Sequence, residues 1–269
     1  MNFRKMNGAG NDFVVVDNRR LELSLSGAQI ARICDRHRGV GADGLLAVEP
    51  SQSGADFRMR YYNADGGEAE MCGNGARCFA RFAASLLAEP PPSLSFDTPA
   101  GLIRATFSGE LVTINMSEPR DHRAPMELDL AGAVQTVHFL NTGVPHAVVF
   151  VSDVEAVDVA LTGAALRWHP GFSPKGTNAN FAQILSPGNL ALRTFERGVE
   201  AETLACGTGV CATALLHHLS TGVPSPIAVR VRGGDTLLVG FECGAGGEFC
   251  NVMLTGPADF VFDGVVHLD

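Results

Sequence analysis

The chain is 269 residues long and 46% hydrophobic, which allows one large domain or two of about 130 residues with a buried core. Its formal net charge of −9, with no block of lysine or arginine, argues against a nucleic-acid partner. No apolar run reaches the roughly 18–20 residues of a membrane span, and the start lacks a signal-peptide core, so we expect a cytoplasmic protein with no membrane partner.

The first half of the sequence predicts short strands and one long helix. A short helix is expected at residues 27–36, with Ser26 as its N-cap. A longer, Ala-rich helix follows Cys72 and ends at the prolines of residues 90–92. Strands are expected where β-branched, aromatic or alternating residues dominate, at residues 3–6, 13–17, 44–49, 56–62, 94–98, 101–107 and 111–116.

The second half repeats this scheme. A short helix is expected near residues 161–168, and a second Ala-rich helix follows Cys206. The last strand, at about 259–266, could pair with either half. The other strands are expected at residues 134–140, 147–151, 179–185, 190–195, 227–232, 236–241 and 249–255.

The polar, proline-containing segment Ser117–Pro125 is the expected boundary between the halves. The predicted domains are residues 1–117, completed by the C-terminal strand at about 257–269, and residues 118–256. Many strands with one long helix per half indicate an α+β fold of two pseudo-symmetric halves, each a strongly curved sheet or barrel wrapped around a central helix.

Two Cys-Gly-x-Gly motifs, MCGNG and ACGTG, are the most informative feature of the chain. Their cysteines, Cys72 and Cys206, are 134 residues apart, which is half the chain length. Each motif follows a polar, acidic loop and opens an Ala-rich helical stretch. The repetition indicates duplication of one ancestral unit, with one thiol in each copy.

The glycines of the two motifs suit a ligand site at a helix start. Glycine lets the chain turn sharply and brings backbone N–H groups close to a ligand. Free amides and the positive end of the helix dipole favour a thiolate and also hold a carboxylate. A base beside a bound carboxylate is what proton abstraction from the adjacent carbon requires.

Other interpretations of the seven cysteines are less well supported. Zinc is disfavoured, because the spacings C-x5-C and C-x4-C after Cys72 and Cys206 differ from C-x2-C. A structural disulfide between these two is disfavoured in a cytoplasmic chain. The other five are interpreted as buried structural cysteines: Cys34, Cys78, Cys211, Cys243 and Cys250.

Two cofactor classes are also disfavoured, so no cofactor and no metal is expected. Pyridoxal phosphate needs a Schiff-base lysine, and the two lysines present are Lys5 in a predicted strand and Lys175 in a Pro/Gly loop. Residues 39–44 match the G-x-G-x-x-G dinucleotide motif, but a predicted helix precedes them and a strand follows, the reverse of a Rossmann turn. The glycines are interpreted as a tight loop at the site entrance.

Polar residues flank both thiols. Asn63 precedes Cys72 by nine residues, and Glu196-Arg197 stands at the matching place before Cys206. Arg197 could clamp a carboxylate and Glu196 an ammonium, although a surface ion pair is an alternative. His146 follows a proline at a predicted strand start, and could orient a catalytic thiol or be a structural histidine.

These motifs together resemble the diaminopimelate epimerase family, cofactor-independent enzymes of bacterial lysine and peptidoglycan-precursor synthesis. The MCGNG motif differs from the MCGHG type of the proline racemases. The matching segments run in the family's order from residue 3 to 209: FRKMNGAGNDFVVVD, HRGVGADG, YYNADGGEAEMCGNGARC, NTGVPHAV, KGTNANF and FERGVEAETLACGTG.

The resemblance implies two α/β halves that close over a small-molecule substrate, in a homodimer. It makes Cys72 and Cys206 the acid/base pair, one taking the alpha proton and the other returning one to the opposite face, with His146 and Glu196 tuning the thiols. It places the reacting carboxylate on the amides of the two helix starts, at Gly73, Asn74, Gly207 and Thr208. It assigns the distal, unreactive centre to Asn11, Asn63, Asn178, Glu196 and Arg197.

Two positions depart from the resemblance. Many members carry glutamine where this chain has Gly44, and asparagine where it has Val144.

The expected function is PLP-independent epimerisation of LL- to meso-2,6-diaminoheptanedioate. Three alternatives stay open: a racemase for proline, hydroxyproline or histidine, a thiol hydrolase with Cys72 as nucleophile and His146 as base, and a non-catalytic small-molecule binder.

Overall fold

The computed structural model describes residues 1–268 and divides into two compact units. The first unit holds Met1–Ile114 and the chain from Gly256 onward, and the second holds Asn115–Thr255. No helix among the described residues is long and apolar enough to cross a membrane.

The first unit is a mixed sheet with two helices. Its elements are β1 (Asn2–Gly8), β2 (Asn11–Asp17), α1 (Gly27–Cys34), β3 (Gly44–Glu49), β4 (Phe57–Asn63), β5 (Glu68–Ala69), α2 (Gly73–Ser85), β6 (Ser93–Thr98), β7 (Gly101–Ser108), β8 (Leu111–Asn115) and, from the end of the chain, β18 (Asp259–Val265).

Among the described residues, the second unit likewise has nine strands and two α-helices, and it adds a 3-10 turn. Its elements are β9 (Arg120–Leu130), β10 (Ala133–Asn141), β11 (Pro145–Val151), α3 (Val159–Arg167), a 3-10 turn (Pro170–Phe172), β12 (Asn178–Ser186), β13 (Asn189–Glu196), β14 (Ala201–Thr203), α4 (Gly207–Thr221), β15 (Ile227–Arg230), β16 (Thr236–Cys243) and β17 (Phe249–Pro257).

The strand pairings of the two units repeat each other. In the first, β1 pairs antiparallel with β18 and β2, β2 pairs parallel with β3, and β4 pairs antiparallel with β3 and parallel with β6. In the second, β10 pairs antiparallel with β9 and β11, β11 pairs parallel with β12, and β13 pairs antiparallel with β12 and parallel with β15. This correspondence, strand for strand, supports the duplication that the two cysteine motifs indicate.

One helix is buried in each unit. Helix α2 packs against β1, β2, β3, β4, β6 and β7, and α4 packs against β10, β11, β12, β13, β15 and β16. Small residues make this close packing possible. A Cβ added to Gly8 of β1, for example, would lie 2.8 Å from the Asn74 carbonyl oxygen at the start of α2. Each cysteine motif therefore opens a helix that lies inside a sheet.

Several element boundaries differ from the sequence predictions. Within the expected boundary segment Ser117–Pro125, β9 begins at Arg120 and pairs with β10, so residues 120–125 belong to a strand whose side chains are exposed or half-buried. Helix α1 ends at Cys34 instead of residue 36, since the Asp35 carboxylate accepts from the backbone N–H groups of His37 and Arg38 and turns the chain. Helix α2 ends at Ser85, before the prolines, and the last strand pairs with β1.

Candidate active site

Cys72 is the N-cap residue of α2 in the first unit. Its backbone is extended, with φ −138° and ψ 121°, and its Sγ accepts from the Gly75 N–H at 3.5 Å. Cys72 is half-buried, whereas Gly73 and Asn74 are buried. The N–H groups of a helix's first turn have no acceptor inside the helix, so this end offers both a thiol and outward-pointing amides.

The Asn74 side chain is held from both ends. Its Nδ2 donates to Asn11 Oδ1 at 2.6 Å, and its Oδ1 accepts from Arg77 Nη2 at 2.9 Å. Arg77 is fully buried and also donates to the carbonyl oxygens of Pro257 and Gly73. Asn11, which the resemblance assigns to the substrate, is thus bonded to the start of the cysteine helix.

A charged cluster fixes Asn11 in turn. Asp43 accepts from Asn11 Nδ2 at 3.0 Å, and Arg36 bridges Asp43 and Asp12 at 2.7–2.9 Å. Buried Lys5 pairs with Asp12 at 2.7 Å. Burial alone would raise the pKa of Asp12, but the hydrogen bonds from Arg36 and Lys5 outweigh it and bring the pKa to about 2. The glycine-rich loop of residues 39–44 thus supplies, through Asp43, the acceptor that orients Asn11.

Asn63 and Gly44 are paired across β3 and β4. Asn63 ends β4 with an exposed side chain. A Cβ added to Gly44 would lie 2.4 Å from the Tyr62 carbonyl oxygen, so the backbone as it stands has no room for the glutamine of the resembling family members. In the second unit Val144, the other departure, is half-buried just before β11.

Cys206 is the N-cap residue of α4 in the second unit. It has the same extended backbone, with φ −128° and ψ 106°, but its side chain caps no backbone N–H. Instead its Sγ lies 3.5 Å from Thr208 Oγ1. Thr208 Oγ1 is also bonded to His146 Nε2 at 2.9 Å. The sequence-predicted residues Cys206, Thr208 and His146 therefore meet at this helix start.

His146 is completely buried, and this burial, with the nearby Arg197 charge, lowers its pKa to about 3. The imidazole is therefore neutral at neutral pH. Asn180 Nδ2 lies 3.1 Å from His146 Nδ1, and Thr194 Oγ1 donates to Asn180 Oδ1 at 3.0 Å. A neutral, fully bonded histidine can donate one hydrogen bond and accept another.

The other predicted polar residues of this unit lie near one turn. Asn178 Oδ1 accepts from the Arg197 backbone N–H at 2.8 Å, and its Nδ2 donates to the Pro145 carbonyl at 3.1 Å. Asn178 thus holds backbone in place, while the side chains of Glu196 and Arg197 are half-buried. Buried Arg167 anchors the far side of the turn by donating to Glu200 at 3.0–3.1 Å.

The remaining cysteines do not all fit the prediction of buried structural residues. Cys34, Cys78 and Cys211 are buried, and burial raises the pKa of Cys34 to about 11 and that of Cys78 to about 12. Cys243 and Cys250 are exposed, which makes the prediction wrong for them. They lie on the hairpin of β16 and β17, beside the glycine turn that ends it. In the part of the chain that the structure describes, no cluster of three metal-ligating side chains occurs.

Sequence reasoning missed the residues that support the predicted ones. None of Arg77, Asp43, Asn180 and Thr194 is among the predicted site residues. Two of them carry a signal in the sequence: Asn180 lies within the KGTNANF segment, and Arg77 is a charged residue inside an Ala-rich helix. Thr194 gives no local signal, because its importance comes only from the pairing of β12 with β13.

Comparison with known proteins gives concordant results. A family model described as diaminopimelate epimerase matches residues 3–120 and 138–261. The diaminopimelate epimerase of Chlorobaculum tepidum is 42% identical over 267 residues, which cover 98% of this chain and 100% of the relative.

Solved structures with low sequence identity share the fold. A phenazine biosynthesis protein of Bacillus anthracis has a TM-score of 0.73 at 17% identity and covers 99% of both chains. A probable proline racemase of Agrobacterium radiobacter, with bound carbonate, has a TM-score of 0.72 at 17% identity, covering 100% of this chain and 93% of that one. The predicted α+β fold class is confirmed by these likenesses. The family match and the full-length identity show that the chain belongs to the diaminopimelate epimerase family.

Proposed function

We propose that this chain is an isomerase that converts LL-2,6-diaminoheptanedioate to its meso form without pyridoxal phosphate, in lysine and peptidoglycan-precursor biosynthesis. The observation that carries the proposal is the repeated placement of a thiol. In each of two units with matching strand pairings, a cysteine occupies the N-cap of the buried helix. The family membership and the 42% identity to a diaminopimelate epimerase over almost the whole chain support the same substrate.

The proposed reaction is a two-base proton transfer. One of Cys72 and Cys206 acts as thiolate and removes the alpha proton, and the other acts as thiol and returns a proton to the opposite face of the same carbon. The roles exchange when the reaction runs backwards, because the base in one direction must be the acid in the other. His146 and Glu196 tune the thiols, and for His146 the bond to Thr208, next to Cys206, supports this role.

The reacting carboxylate is proposed to bind to backbone amides at the two helix starts, those of Gly73 and Asn74 and those of Gly207 and Thr208. Helix N-termini favour anions because their first N–H groups are unpaired within the helix and the dipole is positive there. These amides also stabilise the charge that develops as the alpha proton leaves.

The distal end of the substrate carries a second carboxylate and a second ammonium group. We assign its binding to Asn11, Asn63, Asn178, Glu196 and Arg197. Arg197 supplies the positive charge for the carboxylate, and Glu196 supplies the negative charge for the ammonium. Hydrogen bonds to Asp43 and Asn74 fix the Asn11 side chain. Asn178 accepts a hydrogen bond from the Arg197 backbone N–H and so holds that residue in place.

The decisive experiment is proton exchange in deuterated water with diaminoheptanedioate. The wild-type chain should incorporate alpha deuterium, and Cys72→Ala and Cys206→Ala should each lose at least about 10²–10⁴-fold in epimerisation rate, the range for a general acid or base. Cys243→Ala is the matched control, because Cys243 is exposed and outside the proposed site, and it should keep the wild-type rate.

Full epimerisation by both site variants would exclude the two-thiol mechanism. If alpha deuterium is incorporated into proline or hydroxyproline in preference to diaminoheptanedioate, the chain is instead a racemase for that alternative substrate.

A further inference from the structure

The two units allow a residue-by-residue comparison of the strand side chains that pack against the first turns of α2 and α4. Pairing of β2 with β3 sets Phe13 opposite Gly44, and pairing of β11 with β12 sets His146 opposite Asn178. Since β2 corresponds to β11 and β3 to β12, His146 occupies the place of Phe13.

The same registers match two further pairs. In the first unit Leu46 is paired with Tyr61 across β3 and β4. In the second unit Asn180 is paired with Thr194 across β12 and β13. Asn180 and Thr194 therefore take the places of Leu46 and Tyr61.

In the first unit this position is ordinary apolar packing. Phe13, Leu46 and Tyr61 are buried, and the rings of Phe13 and Tyr61 meet edge to face at 6.2 Å. A Cβ added to Gly75, in the first turn of α2, would be 3.4 Å from the side chains of Leu46 and Phe13. The fold itself thus requires no histidine or amide side chain behind the helix.

In the second unit the same space is polar and more tightly filled. His146 and Asn180 are fully buried, and Thr194 is 3% exposed. A Cβ added to Gly209, the counterpart of Gly75, would be 2.5 Å from Asn180 Oδ1 and 3.3 Å from His146 Cε1. Buried polar groups destabilise a protein unless they are fully hydrogen-bonded, so this arrangement needs a reason beyond folding.

The directions of the hydrogen bonds follow from the partners. Asn180 Nδ2 lies 3.0 Å from the Ala147 carbonyl oxygen and 3.4 Å from that of Asn178, and both oxygens can only accept. That end of the amide is therefore the NH₂ group, and its two hydrogens go to the two nearer acceptors, the Ala147 carbonyl oxygen and His146 Nδ1. With Nδ1 accepting, the proton of the neutral imidazole is on Nε2, which donates to Thr208 Oγ1.

Thr208 can then direct its own hydroxyl proton to Cys206. The oxygen already accepts from His146, and the sulfur lies 3.5 Å away. Every hydrogen bond in the series from Thr194 through Asn180, His146 and Thr208 thus points toward Cys206. An acceptor supplied with such a donor is favoured in its anionic form.

We propose that Asn180 and Thr194 are positioning residues that fix the Nε2–H tautomer of His146, so that the Thr208 hydroxyl donates to Cys206 and holds it as the resting thiolate. The proposal rests on the proposed function, in which Cys206 is one of the two bases. The first unit lacks this series and offers Cys72 the Gly75 N–H instead. The pseudo-symmetric units therefore present their thiols through different donors.

The test measures the thiolate directly, in the ligand-free full chain. The rate of iodoacetamide alkylation is followed against pH for Cys206 and Cys72 separately, by peptide mass spectrometry. Thr208→Val and Asn180→Leu should each raise the pH midpoint for Cys206 by about one unit, the order expected when a hydrogen bond to a charged group is lost. The Cys72 midpoint in the same samples should not move.

A double-variant cycle separates this role from a merely structural one. Because both residues act through the same hydroxyl, Thr208→Val with Asn180→Leu should shift the midpoint no further than the larger single change. Thr208→Ser keeps the hydroxyl and should restore the wild-type midpoint. Asn189→Leu is the matched control, since Asn189 is an exposed asparagine at the start of β13.

An unchanged Cys206 midpoint in Thr208→Val or in Asn180→Leu, or additive shifts in the double variant, would overturn the proposal. If Asn180→Leu does not fold, Thr194→Val takes its place, because it removes the first donor of the series and should raise the same midpoint. Failure of the proposed function is read separately, as epimerisation that persists in Cys206→Ala.

Discussion

A cysteine occupies the N-cap of both buried helices, a position where serine, threonine, aspartate or asparagine stabilises a helix best. Cys72 accepts one long hydrogen bond from the first turn of α2, and the Cys206 side chain makes no capping hydrogen bond to α4. Helix stability therefore does not explain these residues, which is consistent with the thiol chemistry proposed for them.

His217 is a second buried histidine, and it lacks the support that His146 has. Within residues 1–268, neither of its ring nitrogens has a hydrogen-bond partner, and the same holds for the Thr213 hydroxyl one turn earlier on α4. His217 is 1% exposed, and burial lowers its pKa. Charging this ring inside the unit is unfavourable.

We predict that His217→Leu makes the protein more stable, most clearly in acid. A histidine whose folded pKa lies below its unfolded value near 6.5 contributes stability above that pH, and the contribution is lost as the pH falls. Between pH 6.5 and 5, the free energy of unfolding should therefore fall less steeply in His217→Leu than in the wild type, by up to about 1.4 kcal/mol per pH unit. Urea unfolding at pH 7.5 and 5 measures the effect.

His267→Leu, at an exposed position, is the control for this change and should leave the pH dependence as in the wild type. Residual acid sensitivity is expected, because the pKa of His146 is lowered in the same direction. Equal acid sensitivity of His217→Leu and the wild type would show that His217 does not destabilise the protein in acid.

At the scale of elements, the packing of α3 on β13 supports the turn that carries Glu196 and Arg197. Gly163 lies buried in the middle of α3, and a Cβ there would be 2.5 Å from the Cβ of Phe195. Arg167, at the end of the same helix, holds Glu200 of that turn. The helix therefore fixes the strand and the turn together.

Gly163→Ala should destabilise the protein, although alanine favours helices. Overpacking costs about 1–3 kcal/mol, against a gain of at most about 1 kcal/mol in helix propensity. The free energy of unfolding in urea should fall by roughly 1–2 kcal/mol. Gly240→Ala in β16 is the matched control, since its new Cβ would meet only the Met253 Cβ, at 3.7 Å. If Gly163→Ala unfolds at the wild-type urea midpoint, α3 can shift away from Phe195 of β13 without cost, and the prediction is wrong.

At the scale of the whole molecule, we propose a homodimer, and the exposed apolar residues of β18 support it. Phe260, Val261, Phe262 and Val265 are 39–64% exposed within one seven-residue strand. Contiguous exposed apolar residues of this kind are typical of protein–protein contact surfaces. A second copy of the chain is the partner that we assign to them.

Val261→Lys should therefore shift the protein from dimer to monomer in analytical ultracentrifugation, because a charge would be buried without a partner in the contact. Leu21→Lys, at a site that is 61% exposed outside β18, should not alter the sedimentation. A wild-type chain that sediments as a monomer at all accessible concentrations would refute the dimer.

The sequence by itself determined the two cysteines, the helix starts that they occupy and the duplication, because glycine spacing and Ala-rich segments are local signals that require no knowledge of distant contacts. It also predicted most strands of both units closely. The exceptions are the short strands β5 and β14, which lie in segments expected to be loops, and β9, whose polar residues hid its pairing with β10.

Only the tertiary structure decided what stands behind each thiol. His146, Asn180 and Thr194 come from three strands, and their contacts join residues 34 and 14 positions apart. Asp43 likewise reaches Asn11 from 32 residues away along the chain. Such contacts depend on the register of paired strands, which is set by the burial of all their side chains together and not by any one segment.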